Sequence, residues 1–149
     1  MAKLKIGVWK VLLAGFVFMI ISQIIRTIGA FLEMNYYFDP NYFGVWSKIM
    51  MPAAGPPPTS FYCYSLLFAF INGVLFSLVY AYMKGGIPVK AWLKKGLIYG
   101  LVVFLIGGIP GSLALYLLIN LPAMLLIYWA IETLIINLLG GIVVAWLNK

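Results

Sequence analysis

The 149-residue sequence predicts an all-α polytopic membrane protein, a four-transmembrane-helix bundle with an aromatic and proline-rich extracytoplasmic loop between helices 1 and 2. Three observations carry that expectation. Hydrophobic residues make up 65% of the chain and charged residues only 9%, against about 25% charged in ordinary soluble domains. The apolar runs are continuous rather than alternating, which disfavours a β-barrel. Four of them reach the ~20 residues needed to cross a hydrocarbon core of ~30 Å, and together they suit a single transmembrane domain over 1–149.

The same composition excludes several classes of function. A soluble enzyme and a disordered chain are both incompatible with so little charge. Histidine is absent, there are three carboxylates, and Cys63 is the single cysteine. Haem axial histidines, histidine zinc sites and Ser-His-Asp triads are therefore impossible, as is an intrachain disulfide. The net charge of +7 could point to nucleic acid. In so apolar a chain it is better explained by basic loops on one membrane face, so no nucleic-acid partner is expected.

Span 1 is expected over 8–32. Lys3, Lys5 and Lys10 precede an apolar run from Val11 to Ile25, and Ile28-Gly29-Ala30 follows. This has the outline of a signal peptide, and we read it as a retained first span. Arg26 ends its charge-free stretch and Glu33 lies near its far end. The connection that follows, Met34 to Ser60, carries Tyr36, Tyr37, Tyr42 and Trp46, rings that favour the membrane interface. A short interfacial helix is expected from Phe43 to Met51, stopped by Pro52. Pro56-Pro57-Pro58 then predicts an extended lead into span 2, expected over 61–82.

The next connection, 84–95, is short and basic. Lys90, Lys94 and Lys95, with Trp92 among them, are the candidate contacts to anionic lipid headgroups. Span 3 is expected over 91–119. It contains Gly107-Gly108-Ile109-Pro110-Gly111, where Pro110 cannot donate to the carbonyl of Ile106. A kink follows from that: either a packing feature or a broken helix lining a site, as in transporters. Asn120-Leu121-Pro122 predicts a tight turn with Pro122 at the first helical position. Span 4 is expected over 122–147, antiparallel to span 3. No internal repeat is visible.

Orientation follows from the lysines. Lys3, Lys5, Lys10, Lys84, Lys90, Lys94, Lys95 and Lys149 collect on one side, and Arg26 and Lys48 on the other. The positive-inside rule places both termini in the cytoplasm of a multi-pass inner-membrane (cell-membrane) protein. Alkaline phosphatase fused after Lys149 is accordingly expected to be inactive in cells, and an active fusion would reverse the topology.

Helices in lipid associate by close packing, so small residues mark contact faces. Steps of four and seven place Gly15, Ser22 and Gly29 on one face of span 1. The same steps align Ser65, Ala69, Gly73, Ser77 and Ala81 in span 2, Gly96, Gly100, Gly107 and Gly111 in span 3, and Thr133, Asn137, Gly141 and Ala145 in span 4. A stripe in every span predicts a compact bundle. One stripe left over, for instance through Gly100, would serve a homo-oligomer.

Glu132 is the expensive residue. It lies ten residues after Pro122, hence ~15 Å along span 4 and near the bilayer midplane. A carboxylate there costs ~2.5–3.5 kcal/mol even on permissive insertion scales. Two partners are available: Arg26, on the small-residue face of span 1, and Asn72, at matching depth in span 2. Arg26 also reads as a helical neighbour of Glu33 or as a phosphate-level anchor. Asn137, about 140° around the helix from Glu132, serves another contact. Cys63, Met50 and Met51 are soft ligands, but their spacing matches no copper motif and methionine is ordinary apolar filler. No metal or cofactor is expected.

The stretch KGLIYGLVVFLIGGIPGSLALYLLINLPAMLLIYWAIETLIINLLGGIVVAWL, from Lys95 to Leu147, covers about a third of the chain. With its glycine-rich third span, Trp129-x-x-Glu132 and Gly140-Gly141, it resembles a loose group of small prokaryotic four-span proteins of unassigned function. The resemblance implies the four-span fold and supplies no catalytic or binding residues. Other small four-span families do not fit. Span 1 lacks the early glutamate of multidrug transporters, the Glu-Arg pattern of the glutathione-transferase-like membrane family is missing, and one thiol cannot serve a quinone-linked disulfide reductase. The expectation is thus not an enzyme but a non-catalytic membrane subunit or scaffold, packed against itself, a membrane partner and lipid. The alternative is a small oligomeric transporter or channel using Glu132 and the Pro110 break. A lipid enzyme with Glu132 or Asp39 as base is the weakest reading, because Asp39-Pro40 has the look of an ordinary turn.

Overall fold

A computed structural model describes residues 7–53 and 55–149. Lys3 and Lys5, two of the orienting lysines, lie outside the described residues. The described chain folds as α1 (Val8–Leu32), a one-turn α2 (Met34–Tyr37), a 3-10 segment (Pro40–Val45) and α3 (Thr59–Met83). It continues through α4 (Trp92–Val103), a π-helical turn (Phe104–Gly108), α5 (Ile109–Leu118) and α6 (Ala123–Leu147). The α4–π–α5 run forms one continuous span, Trp92–Leu118, and with α1, α3 and α6 makes four helices long and apolar enough to cross a membrane. Large apolar side chains such as Leu117, Leu118 and Ile106 cover the outside of the bundle, as a lipid-facing surface requires.

The helices pack as a bent row in the order α3, α1, α6, α4, with α1 and α6 in the middle. Glycines set the close crossings. A Cβ on Gly73 would lie 2.9 Å from Gly15 Cα, and Gly96 and Gly100 abut the α6 backbone at Gly141 and Asn137. The stripes of spans 1, 2 and 4 thus pack within the chain. At the lysine-bearing end α3 and α4 close on each other. Tyr99 Oη donates to the Phe76 carbonyl at 2.6 Å, its ring packs edge-on against Phe76 and Tyr80, and Lys95 Nζ donates to the Lys84 carbonyl at 3.0 Å. Toward the other end α3 and α4 part.

Four expectations need correction. The short helix lies at Pro40–Val45 as a 3-10 turn, not at Phe43–Met51. Asp39 Oδ1 accepts from Asn41 N–H at 2.9 Å and Pro40 pre-sets the first turn, so helical geometry starts early and ends at an extended Trp46. The Pro110 break is a π turn rather than an unwound gap. Ile109 N–H reaches back to the Phe104 carbonyl, and Pro110 then falls at the start of α5, where a missing N–H costs little.

The extra residue of that turn also splits the stripe of span 3. Gly96 and Gly100 are buried in the α6 contact, whereas Gly107 and Gly111 have nothing within 4 Å of where a side chain would start. Gly100 is therefore used up inside the chain. Lastly, Lys95 is tied to Lys84, leaving Lys90 and Lys94 as the exposed members of the basic edge. Lys149 Nζ sits over the Trp92 ring, 4.3 Å from its centroid.

Candidate functional site

Arg26, Gly29 and Glu33 follow one another at steps of three and four, so they share the face of α1 that meets α6. Trp129 and Glu132, three apart, answer from α6. Gly29 makes the meeting possible, because a Cβ there would fall on Glu132 Oε1. Arg26 Nη1 stands 3.6 Å from Glu132 Oε2, its side chain half exposed while Glu132 is buried. That is the ion pair expected between spans 1 and 4.

Glu33 caps α1, its N–H bonded to the Gly29 carbonyl, and only 1% of it is exposed. Its Oε2 accepts from Trp129 Nε1 at 2.9 Å and from Tyr37 Oη at 3.1 Å. Burial, together with the Glu33 carboxylate, pushes the Tyr37 hydroxyl above the usual phenol range, so Tyr37 stays a neutral donor. Glu33 is tied to Trp129, three residues before Glu132 on α6, so both carboxyl groups belong to one cluster. Each keeps a buried oxygen, Oε1 in both cases, that no donor among the described residues reaches. The cluster therefore holds more acceptors than donors. What it lacks is a proton, a donor or a cation.

The returning loop covers this cluster. Tyr37, Trp46 and Trp129 pack in series, with ring centroids 5.0 and 6.4 Å apart, and Trp46 and Trp129 lie over Leu121, Leu125 and Leu126. Between α1, α3 and the loop lies a cavity of about 520 Å³, with Glu132 and Arg26 at its floor and Met50, Met51, Pro56 and Pro57 overhead. Phe31, Phe38, Phe61, Tyr62 and Trp129 supply much of its wall.

A second, larger cleft of about 1050 Å³ runs down between α3 and the α4–π segment, walled by Phe18, Phe68, Leu75, Val103 and Ile106. Gln23, Arg26, Phe61 and Ser65 line both spaces, so the two meet at Arg26. Gln23 braces that neck, donating to Thr27 at 3.3 Å and accepting from Ser65 at 3.4 Å. At its far end the cleft is shut by the Tyr99–Phe76 contact.

Of the residues the sequence singled out, Arg26 and Glu132 are brought together, while Asn72 and Asn137 are not part of the carboxyl cluster. Both amides line the larger cleft, together with Thr133 and Gly107. An Asn72–Glu132 contact is not formed because α1 stands between α3 and the acidic face of α6. Matching depth was insufficient without the helix order. Glu33 pairs with Tyr37 and Trp129 rather than Arg26. Cys63 is exposed on α3, away from the cavity that Met50 and Met51 line.

Glu33, Trp129 and Tyr37 are the members that sequence reasoning missed. Their signal was present in the i, i+4 spacing of Glu33 and Tyr37 and in the Trp129-x-x-Glu132 pattern. No family model, curated protein or solved structure matches the chain.

Proposed function

We propose that this is a non-catalytic membrane protein that takes a membrane-soluble small molecule into its two joined cavities. In this reading it belongs with small transporters, its loop end faces outward, and both termini are cytoplasmic. The observation that carries it is the buried Glu132 carboxyl group lining an apolar cavity, with the buried Glu33 carboxyl group behind it and an unreached oxygen on each. Such a site is costly to the fold and is repaid most directly by an occupant. The asymmetry of closure supports the same reading: the spaces are wide toward the loop and shut at the lysine-bearing end by Tyr99.

The test is ligand-induced stabilisation of the purified protein in detergent, using three classes of amphiphile: organic cations, fatty acids and neutral alcohols. At about 100-fold above its dissociation constant a ligand adds about 2.7 kcal/mol. At least one class is expected to raise Tm in the wild type and to lose that effect in Glu132→Gln. No stabilisation by any class would overturn the reading.

A subunit or scaffold role is the second reading, and one observation favours it. Gly107 and Gly111 present bare backbone on α5 and the π turn, a surface another helix can approach closely. That role expects a stoichiometric partner on purification and no ligand effect.

A further inference from the structure

We infer that the loop-end cavity is a site for a lipophilic cation, an apolar or aromatic body carrying one positive charge; this rests on the ligand-binding reading above. The charge at the floor points that way. Glu132 lines the cavity and pairs with Arg26 at 3.6 Å, and Glu33, held behind it by Trp129, sets a second carboxyl group against that single guanidinium. The other titratable groups lining the cavity are Tyr62 of α3 and Tyr37 of α2, the latter a donor already engaged with Glu33. Asp39 and Lys48 of the loop do not line the cavity. An anionic ligand would place a third negative group beside one arginine, whereas a cation offsets the excess of negative charge behind the cavity wall.

The walls select the body of the ligand. Aromatic faces attract a cation through the ring quadrupole, the more so when the contact is desolvated, and five aromatic residues besides Tyr37 line this space. Met50 and Met51 add polarisable thioethers. A small inorganic ion would surrender its hydration to walls that offer few oxygens. A diffuse organic cation surrenders little and fills the volume, and 520 Å³ lies within the range of drug-sized pockets.

Tetraphenylphosphonium and tetraphenylborate have the same size and shape and opposite charge, so they isolate the sign of the site. Equilibrium binding of each to purified wild-type protein in nanodiscs is expected to be saturable for the phosphonium and weaker by about tenfold or more for the borate, a difference of ~1.4 kcal/mol or more. Glu132→Gln is expected to weaken the phosphonium by a similar factor. Arg26→Gln is expected to strengthen it, because the competing cation is gone.

Equal or tighter borate binding, or loss of phosphonium binding in a monodisperse Arg26→Gln protein, would overturn the inference. The wild-type comparison stands even if Glu132→Gln does not fold. If neither ion binds while a fatty acid or neutral alcohol stabilises the protein, the cation assignment fails and the ligand-binding reading survives. If nothing binds, both fail.

Discussion

Gly100→Val is expected to abolish stable folding, whereas Gly111→Val, one span-turn series further along, is expected to be nearly silent. A Cβ on Gly100 meets the carbonyl and carbonyl carbon of Asn137 and the Cα of Leu138. These are backbone atoms in the middle of α6, and no rotamer change can move them aside. The helices must separate, and the neighbouring Gly96–Gly141 contact goes with them. Overpacking ordinarily costs ~1–3 kcal/mol and occasionally more; here the upper end or beyond is expected. Gly111 has nothing within 4 Å, so a side chain there enters open space. The check is the SDS-unfolding midpoint of each variant, with gel-filtration monodispersity as a second readout. Equal midpoints for the two would mean that the α4–α6 crossing is not the structural hinge of the bundle.

This contrast shows where sequence reasoning held and where it ran out. Spans could be placed within two residues, because hydropathy over some 20 residues is an average that local details do not disturb. Glycines at steps of four could be assigned to packing faces, because helical periodicity is nearly invariant. One π turn is enough to break that invariance. The residue it inserts before Pro110 rotates everything after it, so Gly107 and Gly111 leave the face that Gly96 and Gly100 occupy. Nothing in composition distinguishes that turn from an ordinary proline kink, since both accommodate a residue without an N–H.

The acidic site divides in the same way. The position of Glu132 was legible because a carboxylate deep in an apolar run is costly wherever the run packs. Arg26 was legible as a candidate partner because it lies on the small-residue face of span 1 and so points into the bundle. Glu33 was not. It ends a span, and a carboxylate at a span end ordinarily meets water. It is buried here because the following residues turn back, with Tyr37 one helical turn on and Trp46 beyond, to lie against Trp129 and the start of α6. That is a tertiary decision made by an aromatic loop, and periodicity does not encode it. Asn72 fails for the converse reason: its depth was right, but depth says nothing about which helix stands beside which.

Gly29→Ala is expected to spare the fold and remove the site. The new methyl would overlap Glu132 Oε1, the tip of a flexible side chain, so the carboxyl can swing away where the α6 backbone at Gly100 cannot. Alanine in a helix interior gains ~0.8–1.0 kcal/mol over glycine. Against this stands the displaced contact with Arg26, which is half exposed and so is worth only ~0–1 kcal/mol. These nearly cancel, and the unfolding midpoint should change little. Binding should not be spared. A carboxyl pushed off its seat no longer stands in front of Glu33 at the cavity wall, and the two negative groups that favour a cation are pulled apart. Tetraphenylphosphonium affinity is therefore expected to fall about as far as in Glu132→Gln, by about tenfold or more, in a protein that unfolds like the wild type. A Gly29→Ala variant that unfolds like the wild type and binds the phosphonium as tightly would show that the seat of Glu132 against α1 is packing alone, and that recognition in this cavity comes from its aromatic walls.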